Sequence, residues 1–392
     1  MVLLPAALAT GLTLYGLVES RRHRRNLDRI PIRVHVNGTR GKSSVTRLIA
    51  SGLRAGGIRT FAKTTGTMAR MIRPDGSEAD VYRVGPPNVI EQKRIVRRAL
   101  EERAEALVIE CMAVHPELQP LCERRLVRST VGVITNVRAD HLDVMGPTVD
   151  DAAAAMGQTL PFQGTAFTAE RDRFAVLAAI ARARGSRLHG VDGGDVSPRE
   201  LDRFSYYEHA DNVALALAVC AHLGVRREAA LQGMWAATPD PGVLRRYHVA
   251  AGAKQITFVN AFAANDPDST KVVWTRLGLD RAVPGVRRIV LANCRGDRVQ
   301  RSGQIAELVA RGLPADDVVL TGQGTALVAQ RAIALGLDRA RVHDLGGMSA
   351  ERVVLRVFAL VERRATVVGI GNIVGLGEDL LLEFQSREVG DD

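Results

Sequence analysis

Residues 37–44 read NGTRGKSS and follow the apolar run IRVHV at 32–36, so a strand feeds two glycines, a lysine and two serines into a helical stretch. That order suits phosphate. Glycines let backbone N–H groups point inward, a helix N-terminus adds partial positive charge, Lys42 reaches terminal phosphates, and Ser43 offers a hydroxyl to Mg²⁺. The long motif G-x-x-x-x-G-K-[ST] is not met, because Val36 stands at its first glycine; the shorter G-T-x-G-K-[ST] is. A metal at such a loop needs carboxylates or imidazoles at strand ends on the same sheet edge. Glu110, near the end of ALVIEC (106–111), and His141, in NVRADHLD after VGVITNV (131–137), are the candidates. Asp140 and Asp143 read as groups that orient His141 or cap a turn.

The elements that must position these residues alternate in type. IRVHV, ALVIEC and VGVITNV read as buried parallel strands with amphipathic segments between them. A helical stretch over 209–223 precedes TPDPG at 238–242, which is the expected domain boundary. Beyond it the alternation restarts with ITFVNAF, RIVLANC, DVVLTG and ATVVGIG, and helices are expected over 302–311 and 349–363. The predicted class is α/β: a P-loop-type doubly wound central domain over 29–245 and a smaller Rossmann-like domain over 246–392.

A chain of 392 residues is too long for one ordinary core, which agrees with two domains and an appendage. The net charge of +10 suits acidic partners, and with only 4% aromatic residues to stack bases, an acidic small molecule or polymer ranks above nucleic acid. Nearly all the cations are arginine; the lysines are Lys42, Lys63, Lys93, Lys254 and Lys271. Lys63 in FAKTTGTMAR, like Lys42, sits in a loop of its own rich in glycine and threonine, and reads either as an exposed loop lysine or as a substrate contact. Cys111, Cys122, Cys220 and Cys294 have no C-x-x-C spacing, which argues against a zinc ribbon or disulfide framework.

The first 18 residues carry no charge and are followed by ESRRHRR. Roughly 17–25 apolar residues cross a bilayer, and charges that follow the apolar run do not suit a cleaved signal peptide. The expectation is a membrane anchor over 1–28 in a single-pass cell-membrane protein, with the catalytic domains in the cytoplasm. An interfacial or buried helix is the alternative.

GTRGKSS, the strand-end Glu110 and NVRADHLD resemble the signatures of the Mur ligase superfamily, the ATP-dependent amide ligases of peptidoglycan, folylpolyglutamate and cyanophycin synthesis. Within it the chain is most similar to the ligase subunits of poly-γ-glutamate synthase. The similarity is carried by RRHRRNLD, VNGTRGKSSVTRL, KTTGTMARMI, GPPNVIEQK, ECMAVHPE, DHLDVMGPT, PDPG, FAANDPDST, NCRGDR and GIGNIVG. The resemblance implies that ATP phosphorylates a carboxylate and an amine then attacks the acyl phosphate, releasing ADP. It implies that Gly38, Thr39, Arg40, Gly41, Lys42, Ser43 and Ser44 cradle the phosphates, with Lys42 stabilising the moving phosphoryl group. Ser43 and Glu110 would hold one Mg²⁺ and His141 a second. Asn212, in HADNVALAL, matches an asparagine near the adenine, and Arg245 matches, two residues late, an arginine that grips the nucleotide. Asn260 stands where many members have aspartate, and Arg298 in CRGDR is a candidate for phosphate or substrate carboxylate. The implied partners are glutamate, the growing polyglutamate chain and transmembrane export or synthase subunits; a homo-oligomer is a separate expectation, with its state left open.

Two departures bear on the substrate and the metal. The loop begins within about 20 residues of the expected anchor, so the N-terminal domain with which peptidoglycan ligases bind a UDP-sugar is not expected. Many members also use a modified lysine after D-H-x-D, yet no lysine lies between Lys93 and Lys254. A folylpolyglutamate-type ligase, another amino-acid ligase of the superfamily and a membrane-tethered P-loop ATPase without ligase activity are the rival readings.

Overall fold

A computed structural model describes residues 3–65, 69–83, 85–240, 244–262, 267–296, 299–373 and 375–389. The chain divides into two compact units, Met1–Asp240 and Pro241–Asp392.

The first unit is built on a sheet of eight strands. In chain order they are β1 (Ile32–Asn37), β2 (Thr60–Lys63), β3 (Arg70–Ile72), β4 (Glu78–Asp80), β5 (Ala106–Glu110), β6 (Val131–Ile134), β7 (Thr165–Thr168) and β8 (Arg187–Gly190). Their spatial order is β4-β3-β2-β5-β1-β6-β7-β8. The three apolar runs of the sequence form its centre: β1 lies between β5 and β6, parallel to both, with Val36 opposite Glu110 and Asn37 opposite Ile134. Strands covered on both faces can be apolar throughout, and β5 is buried at every position. β3 and β4 run antiparallel and finish one edge as a hairpin.

Helix α2 (Lys42–Ala55) leaves the end of β1. Its buried face, with Val45, Leu48, Ile49 and Leu53, ties the start of the helix to the sheet; each fully buried apolar side chain of this size contributes about 1.5–3 kcal/mol. The N-terminal helix α1 (Leu3–Asp28) runs without a break from the apolar segment through ESRRHRRNLD. Its second half belongs to the core of this unit. Leu27 is buried in the same cluster as Ile95, Leu107 and Leu126, the His23 ring meets the Leu126 carbonyl at 3.0 Å, and Glu19 pairs with Lys93 at 2.6 Å. These facts correct the expected membrane anchor. Among the described residues no helix is long and apolar enough to cross a membrane. Glycines and threonines dilute the apolar first half, and the charged second half is docked on protein. The single-pass topology and the cell-membrane localisation are therefore not retained.

The second unit has six strands: β9 (Arg245–Ala251), β10 (Lys254–Asn260), β11 (Val286–Cys294), β12 (Asp317–Gly322), β13 (Val342–Asp344) and β14 (Arg364–Gly371). Their order is β13-β12-β11-β14-β10-β9, parallel except for β9, which pairs antiparallel with β10. Apolar clusters form around both the Trp274, Val290 and Leu320 side chains and the Phe258, Leu291 and Phe384 side chains. The chain end returns to β9, where Val249 bridges Glu388 and the Val389 N–H donates to the His248 carbonyl at 2.8 Å.

Candidate active site

The loop between β1 and α2 is held by the segment after β6. Thr39 N–H donates to the Asn136 carbonyl at 2.9 Å, Arg40 N–H donates to Asn136 Oδ1 at 3.1 Å, and the Arg40 carbonyl accepts from Thr135 Oγ1 at 2.6 Å. Arg138 N–H donates to Thr39 Oγ1 at 2.9 Å. The first residues of NVRADHLD are thus a buttress for the loop, a role that the motif alone does not reveal. Gly41 caps α2 in the left-handed conformation at φ 80°, which favours glycine, and a Cβ built there would stand 2.7 Å from Asn212 Oδ1. Ser43 and Ser44 follow Lys42 in the first turn, where the leading backbone N–H groups have no partner within the helix.

Lys42 Nζ donates to the carbonyls of Gly38 at 2.7 Å and Thr39 at 3.3 Å, so the ammonium lies over its own loop. Ser43 Oγ donates to Glu110 Oε2 at 2.9 Å, and the same oxygen accepts the Thr65 backbone N–H at 2.7 Å. Sequence spacing placed Glu110 and Ser43 at one sheet edge; the structure joins them, and adds Thr65. A hydroxyl and a buried carboxylate that meet beside the start of a helix fit a hard divalent cation completed by phosphate oxygens. Such an ion would be held by Ser43 and Glu110.

His141 is placed differently. It lies at φ 52° before the short helix Leu142–Met145, its side chain is 55% exposed, and its Nε2 stands 3.9 Å from Asp140 Oδ1. Among the described residues no three His, Cys, Asp or Glu side chains converge as a metal cluster. Asp140 lies also 3.6 Å from Arg40.

Lys63 is not on a loop. It ends β2, is fully buried, and pairs with Glu91 Oε1 at 2.6 Å, with Met112 Sδ at 3.6 Å. Arg83 grips the same carboxylate through two bonds of 2.8 and 2.9 Å. Burial pulls the lysine below its ordinary pKa against the attraction of Glu91. Burial works in turn to raise Glu91, and the Arg83 and Lys63 charges overcome it. A lysine amid threonines reads as a loop residue because its partner enters from the start of helix α3 (Glu91–Glu101), 28 positions along the chain.

Asn212 is buried in the helix Ala210–His222, and its amide packs against Gly41. Its Nδ2 donates to Glu208 Oε1 at 2.8 Å. Reading the sequence missed Glu208; the available signal was an acid one helical turn before the asparagine. In the second unit Arg245 and Asn260 are cross-strand partners, with Asn260 buried and Arg245 lying 4.9 Å over the Tyr247 ring. Arg298 lies outside the described residues.

This geometry, a strand-to-helix phosphate loop with a hydroxyl and carboxylate at its mouth in an α/β sheet, defines a nucleotide-dependent enzyme of the Mur ligase type. The Mur ligase middle domain matches residues 36–217, and the poly-gamma-glutamate synthase CapB C-terminal domain matches residues 246–387. The capsule biosynthesis protein CapB of Bacillus anthracis is 39% identical over 381 residues, 97% of this chain and 82% of that protein. The PGA synthase CapB of Bacillus subtilis (strain 168) is 37% identical over 376 residues, 95% of each chain. Among solved structures, folylpolyglutamate synthase from Thermotoga maritima superposes with a TM-score of 0.64 at 14% identity, covering 98% of both chains. E. coli FolC in complex with ADP gives 0.64 at 16% identity, covering 97% of this chain and 98% of that one. At such identities these two show the fold alone. The chain belongs to the CapB family of poly-γ-glutamate synthases.

Proposed function

We propose that the protein is an ATP-dependent amide ligase that joins glutamate into poly-γ-glutamate, forming ADP through an acyl phosphate. Family membership over nearly the whole chain supports the substrate and the polymer. The observation that carries the chemistry is the meeting of Ser43 Oγ with Glu110 Oε2 at 2.9 Å beside Lys42. In this reading the Gly38–Ser44 backbone and Lys42 hold the triphosphate, and Lys42 follows the γ-phosphoryl group as charge moves onto it. The glutamate carboxylate attacks that phosphorus, ADP leaves, and the amine of the next glutamate attacks the acyl carbon, expelling phosphate. A divalent ion, proposed to be Mg²⁺, would neutralise phosphate charge from Ser43 and Glu110, and His141 is assigned a second ion by resemblance. Asn212 is assigned to the nucleotide, supported by its packing on Gly41.

The proposed division of labour gives 29–245 to ATP and 246–392 to ligand recognition, with Arg245, Asn260 and Arg298 assigned to nucleotide, phosphate or substrate. Lys63 is assigned to keeping Glu91 and the end of β2 in place beside Glu110. Transmembrane synthase subunits are proposed as partners on the resemblance, and a second copy of the chain is proposed as a further one.

The test is to follow ADP and amide product with ATP, a divalent ion and candidate amino acids. ADP release that requires glutamate and disappears in Lys42→Ala supports the reading. Hydrolysis indifferent to every carboxylate, alone and with the partner subunits co-expressed, overturns it in favour of an ATPase. Stimulation by a folate rather than by glutamate alone would move the substrate to the folylpolyglutamate type.

A further inference from the structure

An asparagine amide is nearly symmetric in shape, so something must decide which end of Asn212 faces Gly41. Glu208 supplies the decision. It precedes the helix Ala210–His222 by two residues and lies one turn before Asn212. Its Oε1 accepts both Asn212 Nδ2 at 2.8 Å and the His209 backbone N–H at 2.9 Å. Because Oε1 already accepts the fixed His209 N–H, any proton on the carboxyl sits on Oε2 and Oε1 stays an acceptor, so the amide must offer its NH2 group to it and turn Oδ1 toward the loop. The space beside Gly41 agrees, since Oδ1 is the nearest atom to a Cβ built there.

We infer that Glu208 is a positioning residue of the nucleotide site, acting through Asn212 to hold the amide oxygen against the phosphate loop. This rests on the nucleotide reading of that loop. The residue is only 6% exposed. Burial pushes the carboxyl up to about 7, against the pull of the Asn212 amide, the His209 N–H and the Tyr206 hydroxyl. An apolar side chain would fill the same space at lower desolvation cost. The two bonds that Oε1 accepts give the acid a role that such a side chain could not fill.

The experiment is a double-mutant cycle on the full chain, reading kcat and KM for ATP in glutamate-dependent ADP release. Glu208→Ala is expected to raise KM for ATP about tenfold, the size of one buried hydrogen bond, with kcat within about twofold of wild type. Asn212→Ala should do the same, and the double variant should be no worse than Asn212→Ala, because Glu208 then has nothing left to orient. Glu208→Gln keeps an oxygen that the His209 N–H fixes in place, so it should recover KM to within about threefold. If Glu208→Ala does not fold, Glu208→Asp withdraws the same oxygen by one methylene and runs the same cycle.

Multiplying KM effects in the double variant overturn the inference, as does an unchanged KM in Glu208→Ala, or a Glu208→Gln enzyme as impaired as the alanine. An Asn212→Ala enzyme with wild-type KM removes the inference as well. If Lys42→Ala still abolishes turnover in that case, the ligase reading stands without it; if Lys42→Ala is active, both fall.

Discussion

Each unit carries a strand that runs into a glycine turn and then a helix, and the two turns are furnished in opposite ways. At the end of β1, Gly41 leads into Lys42, Ser43 and Ser44, with Glu110 and Asn212 against them. At the end of β14, Gly371 at φ 91° and Gly375 lead into the helix Leu376–Gln385, whose first turn carries Glu378 and Asp379 and no cation. Near that second turn Asn293 Nδ2 donates to the Asn372 carbonyl at 2.6 Å, and Asn372 N–H donates to the Asn293 carbonyl at 3.1 Å. The two turns share glycine dihedrals and differ in the charge of the first helical turn. A cation there favours phosphate, whereas a carboxylate already satisfies the helix dipole.

The contrast can be broken by substitution. Lys42→Ala should have the largest effect, a fall in kcat of about 10³-fold with the fold intact, because a charge aimed at the moving phosphoryl group is lost. Next, Glu110→Gln should raise the divalent-ion concentration needed for half-maximal turnover by about tenfold or more, which a metal titration reads. A metal requirement unchanged in that variant would strip the first turn of its distinguishing carboxylate. The paired test is Gly41→Ala against Gly371→Ala. Both place a Cβ at positive φ, the first 2.7 Å from Asn212 Oδ1 and the second 2.4 Å from the Asn293 carbonyl oxygen, so each should destabilise its own unit by about 1–3 kcal/mol. Gly41→Ala should also raise KM for ATP by about tenfold. Gly371→Ala should lower only the melting temperature, and equal KM effects would erase the distinction.

The smallest effect is a pH dependence of stability at the first turn. The Glu208 carboxyl, raised from 4.5 to about 7 by burial, binds its proton more tightly folded than unfolded. Its contribution to stability is complete below about pH 4.5 and is lost as pH rises through about 7. Denaturant titrations should show wild type losing ground to Glu208→Gln between about pH 5 and about pH 8, by no more than about 3 kcal/mol.

Much of this was legible in the sequence where apolar runs are continuous. IRVHV, ALVIEC and VGVITNV became the three central strands because strands covered on both faces need apolar residues at every position. Even there His35 hides a departure, buried with Nδ1 2.9 Å from Glu123. The pairing of Ser43 with Glu110 was legible because both motifs end neighbouring parallel strands. Lys63 was not, because a four-residue strand next to threonines looks like a loop until Glu91 and Arg83 arrive from elsewhere in the chain. The α1 segment misled for a related reason: local hydropathy says nothing of Leu27 or His23 finding partners about 100 residues away. The antiparallel β9 carries alternating burial, a weaker signal than a continuous run.

The return of the chain end to β9 bears on behaviour in concentrated solution. β9 is the last strand of its sheet, and its outer rim would offer bare N–H and C=O groups to any passing strand. The Val249–Glu388 bridge and the Val389 bond to His248 cover part of that rim. Clipping the tail before Glu388 would leave the interior of the unit packed while uncovering a template for sheet extension, so the trimmed protein would be lost to aggregation before it was lost to unfolding.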